Sequence, residues 1–483
     1  MDTVGRLEVI RKELNSMEDK KHDITSEVTD NNDSPFVSDE GTDAPAEAVL
    51  VSSEEEAKML DEDMESAIAS AQGTTPQPKL MFNFVDEYMA NTFAVEKDEY
   101  KKYKDRKTGF PNIDKKQPFV PGLLLLAGGS GSGKTSFAYQ LAEQVAEAGT
   151  PVLYFSLEQS TLELVSKSLS RRIFQYHLFV DDTYQTYTSF DIRIGNADGS
   201  RELNEQVVAY SNAVKNNLCI VQCNHDLTIE FVIDSVRDYI RAHGVKPTII
   251  IDYLQIMSPS VINGRPLTET KANVDHVVHA LKAFQMSRAL TVVAICSLNR
   301  ASYLTAPNLA SLKESGNLEF TADTIASISY SIVDEDSYYY KESLNNRDKV
   351  TETNNRDKQA MLDIEKMKSP RAVQYSILKN RNGFPGFKAN FEYYCEYDTF
   401  VALDEMGNQY KPDGSLVPGV YLQQKMDEKK RVEDRRAEID AESAKASDVI
   451  DLGSMHGVGS DDNPPQIVLR EKASRSKKKK SED

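Results

Sequence analysis

The residues Gly128, Gly129, Ser130, Gly131, Ser132, Gly133, Lys134 and Thr135 carry the spacing G-x-x-x-x-G-K-[ST] in full. Glycines at these places let a loop curl until its backbone N–H groups point inward at phosphate oxygens. The helix expected to follow adds the positive end of its dipole. Lys134 supplies a charge for the β- and γ-phosphates, and the Thr135 hydroxyl stands where it can hold Mg²⁺. Ser136, next in line, is counted with the nucleotide-binding residues. The context fits: the apolar run LLLLA precedes the loop, and TSFAYQLAEQVAEAG follows it as a helical pattern closed by Gly149. ATP and Mg²⁺ are the expected ligands.

Three further groups belong to the same chemistry. TIIIDYLQIM (248–257) places Asp252 at the tip of a buried strand, where a carboxylate can hold the metal bridging the phosphates. Glu158, in PVLYFSLEQS, ends the next strand candidate and is the expected base for the attacking water. Lys379 and Arg381 are two residues apart on an extended segment and so point to one side. Two cations there suggest contact with an anion, such as a phosphate of a neighbouring subunit.

The elements that must position these groups can be read from periodicity. Strand candidates fall at 122–127, 151–157, 218–222, 248–254, 291–298, 324–332 and 372–379, and helical patterns at 134–148, 161–176, 229–243 and 271–289. Near-continuous Val/Ile/Leu strands alternating with helices predict a mostly parallel sheet covered on both faces, an α/β fold. Residues 105–405 form this expected domain, with polar surface insertions at 180–205 and 334–370.

The flanks have a different character. Residues 1–80 hold 20 Asp and Glu against 7 Lys and Arg, a composition expected to stay largely disordered. Two weak apolar stripes (Leu7, Ile10, Leu14, Met17 and Met59, Leu60, Met64, Ile68) interrupt it. A short amphipathic stretch at 81–93 and a charged linker to 104 come next. Residues 406–483 read as a charged helix and a tail ending in SRSKKKKSED. The formal net charge of −19, taken whole, argues against a nucleic-acid binder, but most of it belongs to the acidic tail. Four cysteines do not make a disulfide framework. Cys219 and Cys223, with His225 nearby, are expected to be buried apolar residues of a core strand, not zinc ligands. No apolar run approaches membrane-spanning length, and a cytoplasmic, soluble protein is expected.

Taken in order, the motifs resemble the RecA-like motor domain of DnaB-type replicative helicases. KTGFPNID (107–114) is similar to the segment that leads into the family's phosphate loop. SLEQ (156–159), IIIDYLQIM (249–257), AICSLNR (294–300), LKESGNLEFTAD (312–323) and KNRNGFPG (379–386) resemble its later motifs. The resemblance covers about 105–400. It implies a RecA-like P-loop NTPase core and a homo-hexameric ring with ATP at each subunit interface. It also implies single-stranded DNA in central loops and movement 5′ to 3′ in DNA replication. Under that resemblance Glu158 is the catalytic base, and Lys379 and Arg381 reach into the neighbour's site. Arg265, Lys271 and Arg300 are candidate DNA contacts, and a primase or a helicase loader is the class of partner implied.

The chain departs from the pattern in two places. Ser297 stands where the family has Gln, and the family's N-terminal helical collar is not recognisable. Both leave a second reading open: a KaiC- or RadA-like ATPase used for nucleotide-dependent assembly or recombination without unwinding.

Overall fold

The computed structural model describes residues 84–420 apart from 224–226, 263–264, 314–315, 338 and 342–354, with scattered positions between 422 and 438. The two N-terminal apolar stripes, Phe82, His225 and the basic C-terminus lie outside the described residues.

Helices α1 (Val85–Asn91) and α2 (Phe93–Lys101) come first and continue into the charged segment read as linker. A short turn of helix, α3 (Pro111–Asp114), then leads to β1 (Gly122–Gly128). Here Asp114 closes the chain on itself, accepting the Thr108 hydroxyl and amide at 2.7 Å each. The core follows as α4 (Lys134–Glu147), β2 (Val152–Ser156), α5 (Thr161–Phe179), α6 (Ser189–Arg193), α7 (Arg201–Val214) and β3 (Leu218–Gln222). Next come α8 (Ile229–His243), β4 (Thr248–Asp252) and a two-stranded ribbon, β5 (Val261–Ile262) with β6 (Arg265–Pro266). After these run α9 (Thr270–Arg288), β7 (Thr291–Ser297), α10 (Gly316–Thr321), β8 (Thr324–Tyr330) and α11 (Asn355–Lys366). The chain then forms β9 (Arg371–Asn380), β10 (Lys388–Tyr394) and β11 (Thr399–Ala402), and a last hairpin, β12 (Asn408–Tyr410) with β13 (Leu416–Pro418).

Among the described residues, nine strands form one sheet in the order β11-β10-β9-β8-β1-β7-β4-β2-β3. The six from β8 to β3 are parallel, and β9, β10 and β11 continue the sheet antiparallel. The alternation of side chains along β1 divides the core into two layers. Leu126 packs with Phe137, Tyr139, Tyr154 and Ile250 under α4. Leu123 and Leu125 pack with Ile249, Ile251, Val278 and Leu281 under α8 and α9. Local signals agree with this packing. Ser160 and Glu163 make a reciprocal cap at the start of α5. Thr228 caps α8, which buries Ile229, Val232, Val236 and Ile240 and ends at Gly244 in the left-handed region.

Two readings from periodicity change here. Helix α7 begins inside the 180–205 stretch that reads as a polar surface insertion, and it buries Gln206, Tyr210 and Val214 at four-residue spacing. Cys219 is exposed and Cys223 half-buried, not buried as expected, because β3 is the edge strand and its side chains are only partly covered. Among the described residues no cluster of three or more metal-ligating side chains forms, and no helix is long and apolar enough to cross a membrane.

Candidate nucleotide site

The phosphate loop leaves the C-terminal end of β1 between two strands of the parallel sheet, β7 and β8. Its glycines are fixed by contact and by backbone angle. A Cβ on Gly128 would lie 2.9 Å from the Ile328 carbonyl oxygen and 2.7 Å from Ser132 Oγ. Gly133 has φ +86°, and a Cβ there would stand 2.8 Å from Phe400 and 2.9 Å from Tyr393. Two tyrosines hold the loop from outside. The Tyr330 hydroxyl donates to the Gly131 carbonyl at 2.9 Å, and the Ser130 N–H donates to the Tyr303 hydroxyl at 3.2 Å. Ser132 Oγ and Lys134 Nζ both reach the Gly129 carbonyl, at 2.9 and 2.8 Å. A cavity of about 310 Å³ opens beside the loop, lined by Ser130, Tyr303, Tyr330 and, from α11, Leu362 and Lys366.

Asp252 lies at the same end of the sheet, level with Ser156 of the neighbouring β2. It is buried, and its two oxygens differ. Oδ2 accepts from the fully buried Tyr154 hydroxyl at 2.8 Å. Among the described residues, Oδ1 is buried without a hydrogen-bond partner. The Thr135 side chain interacts with the same carboxylate. Burial pushes the Asp252 carboxyl above its usual range, while the Tyr154 hydrogen bond and the nearby Thr135 hydroxyl act against that rise. Burial also pulls the Lys134 ammonium below its usual range, opposed by Asp252, Cys296 and Glu158. An unsatisfied buried carboxylate oxygen beside a hydroxyl is an oxygen donor set that fits a hard divalent cation. Glu158 stands exposed in the bend directly after β2, close enough to act on the Lys134 charge. Ser136 differs from its neighbours. Its hydroxyl turns away from the loop and donates to Asp398 Oδ1 at 2.8 Å.

Lys379 and Arg381 lie elsewhere. Lys379 lies near the end of β9 and Arg381 directly after it; β9 runs antiparallel to β8, so both sit at the opposite end of the sheet from the phosphate loop. The Arg381 N–H donates to the Asp323 carbonyl, and Asp323 in turn pairs with Leu123 at the start of β1. Five residues of strand separate that level from Gly128, about 16 Å at the rise of a β-strand, farther than a side chain reaches. Within the chain Lys379 already has partners. Its ammonium donates to the carbonyls of Glu319 at 2.5 Å, Ala322 at 2.7 Å and Phe320 at 3.5 Å. The open carbonyls at the C-terminal end of α10 draw an ammonium donor. Burial lowers the Lys379 pKa, and the nearby Arg381 charge adds to that. Arg381 is half-exposed and reaches Asp323 Oδ1 at 3.2 Å and the Phe320 carbonyl at 2.8 Å.

The other candidate cations follow strands β4 and β7, whose C-terminal ends share the phosphate-loop end of the sheet. Arg265 falls in β6, Lys271 is exposed in the first turn of α9, and Arg300 is exposed in the turn after β7. Periodicity missed Tyr154, Tyr303, Tyr330 and Asp323. Tyr154 and Tyr330 carry a local signal, since a hydroxyl inside a buried strand needs a partner, and Asp323 closes the LKESGNLEFTAD motif.

A phosphate loop at the end of a central parallel strand, with a buried carboxylate one strand beyond its neighbour, defines a P-loop nucleotide-binding protein of RecA-like architecture. The family model of the DnaB-like helicase C-terminal domain matches residues 106–402, and the chain belongs to that family. No curated protein matches the chain. Among solved structures, one described as an ATPase domain is similar at 20% identity and a TM-score of 0.50, covering 67% of this chain and 100% of its own. A DnaB-like replicative helicase, described with its interactions with primase, has 18% identity, a TM-score of 0.49, and coverage of 72% and 75%. A KaiC-like protein from Pyrococcus horikoshii has 17% identity, a TM-score of 0.35, and coverage of 62% and 98%.

Proposed function

We propose that the chain is an ATP-driven helicase that moves 5′ to 3′ on single-stranded DNA during replication, working as a hexameric ring. The observation that carries this reading is the separation of two half-sites within one chain. Lys134, Thr135, Asp252 and Glu158 gather at one end of the sheet, and Arg381 is held at the other. In this reading the two ends of one subunit form a complete site only against a second copy.

In this reading the loop amides and Lys134 bind the triphosphate. Thr135 and Asp252 would hold Mg²⁺, which would supply positive charge against the triphosphate. The Asp252 Oδ1 without a partner suits that place. Glu158 accepts the proton of the attacking water, and its exposed carboxylate has open access to solvent. Arg381 of the neighbouring copy offsets the charge that develops on the phosphate in transfer. Arg265, Lys271 and Arg300, on segments leaving the same sheet end, contact DNA phosphates without reading sequence. By family, a primase or a helicase loader is the class of protein partner.

A forked duplex with one 5′ and one 3′ single-stranded tail tests this. Strand displacement that needs the 5′ tail, with hydrolysis stimulated by single-stranded DNA, is expected. Hydrolysis indifferent to DNA and no displacement would remove the reading in favour of an assembly ATPase, which Ser297 in place of Gln suits. Glu158→Gln is expected to retain ATP binding and lose hydrolysis by about 10²- to 10⁴-fold.

A further inference from the structure

Arg381 does not stand alone at its end of the sheet. Asp323, which follows α10, is the centre of a hub of contacts. Its Oδ2 accepts the Leu123 N–H at 2.8 Å and Lys282 Nζ at 2.6 Å. Its Oδ1 takes the Arg381 guanidinium at 3.2 Å. Its carbonyl accepts the Arg381 N–H at 2.9 Å, and its own N–H donates to the Leu123 carbonyl at 3.0 Å. Burial would raise the Asp323 carboxyl, but the Lys282 and Leu123 hydrogen bonds and the Lys282 and Arg381 charges outweigh it and hold the group below its usual range. It is therefore a carboxylate at neutral pH, shared between two cations. Those cations differ in setting: Arg381 is half-exposed, whereas Lys282 is mostly buried.

Lys282 comes from α9, and α9 has a second anchor. In its first turn Asn273 donates to the Met257 carbonyl at 3.1 Å and accepts the Ser260 N–H at 3.2 Å. Those two residues lie in the segment that follows Asp252's strand. One helix thus grips the segment leaving the nucleotide end of the sheet and, nine residues on and about 14 Å away, the hub at the other end.

We infer that Lys282 and Asp323 are positioning residues for Arg381: their ion pair fixes the guanidinium for the phosphate of the adjacent subunit. The inference rests on the proposed trans role of Arg381. Without Lys282, Asp323 keeps its Leu123 bond but is free to draw Arg381 inward, away from the neighbour. A shift of about 1 Å in a catalytic group is enough to cost on the order of 100-fold in rate.

The test uses full-length chains and mixed assemblies. Lys282→Met is assayed for ATP hydrolysis with single-stranded DNA and Mg²⁺, alone and co-expressed with Lys134→Ala subunits. Lys282→Met alone is expected to lose about 10- to 100-fold in kcat with an unchanged KM for ATP, since its own phosphate loop is intact. Co-assembly is expected to restore hydrolysis, because the inactive Lys134→Ala copy still offers a well-placed Arg381 to its neighbour. Lys282→Arg is expected to restore most of the rate. Full activity of Lys282→Met overturns the inference. So does a loss that co-assembly does not repair while the Arg381→Ala and Lys134→Ala mixture is repaired, because the defect is then internal to the fold. Failure of that control mixture to recover overturns the trans role itself, and the inference with it.

Discussion

Removing a single oxygen from Tyr154 should weaken metal-dependent catalysis without touching any group that meets the nucleotide. Tyr154 is fully buried, and its hydroxyl donates to Asp252 Oδ2 at 2.8 Å. In Tyr154→Phe the ring packing against Tyr139 is retained, but Oδ2 loses this neutral donor. A hydrogen bond to a charged group contributes about 1.5–3 kcal/mol. The loss falls on the ionised form of Asp252, the form that a cation needs. At about 1.4 kcal/mol per decade, metal affinity should drop roughly 10- to 100-fold, the range found for groups that support a ligand from behind. The assay is steady-state hydrolysis at saturating ATP over a wide Mg²⁺ range. The half-saturating Mg²⁺ should rise by that factor, with kcat nearly recovered at high Mg²⁺. An unchanged Mg²⁺ requirement with a lowered melting temperature would refute the reasoning and leave Tyr154 a packing residue only.

Other outcomes follow from the same geometry. Because burial raises the Asp252 pKa in the folded chain, the folded state binds more protons than the unfolded one between the two values, and this group's contribution to stability falls as pH rises through that window. In the metal-free protein, Asp252→Asn should therefore raise the melting temperature at pH 7, and the gain should vanish below about pH 4, near the unfolded Asp value. Gly133→Ala faces both a left-handed backbone and two aromatic rings, so nucleotide binding should be lost; Gly131→Ala, at φ +75° with nothing within 4 Å, should lose far less in the same binding titration. Arg171→Met leaves Glu143 buried without its ion-pair partner and should cost about 3–5 kcal/mol in denaturant unfolding, with much of it recovered when Glu143→Met is added.

Much of the fold is legible in the chain because the information is local. The central parallel strands β1, β7, β4 and β2 read as near-continuous apolar runs, since both of their faces are covered. The phosphate loop is legible because its residue types and spacing are local, although Gly128 and Gly133 also answer to contacts with Ile328, Phe400 and Tyr393 from distant strands. The antiparallel extension is harder to read. KANFEYY of β10 mixes polar and apolar positions, and its partner β11 is only four residues long. Helix α7 hides in polar composition, because a helix packed on one side shows only every fourth residue to the core.

Sequence alone thus determined which residues are candidates to bind phosphate, hold a cation or carry a free carboxylate, because those are properties of residue type and short spacing. It also determined that Asp252 ends a buried strand. Only the tertiary structure decided how these groups stand to one another. Strand order brings Asp252 and Glu158 beside Lys134, and the antiparallel turn into β9 carries Lys379 and Arg381 to the far end of the sheet. Hydrogen bonding then separated two cations that look alike in the chain. Lys379 closes the open carbonyls of α10, and Arg381 is braced by an aspartate that a lysine from another helix shares. Such contacts span 41 residues or more in the chain, and no local pattern encodes a partner that distant.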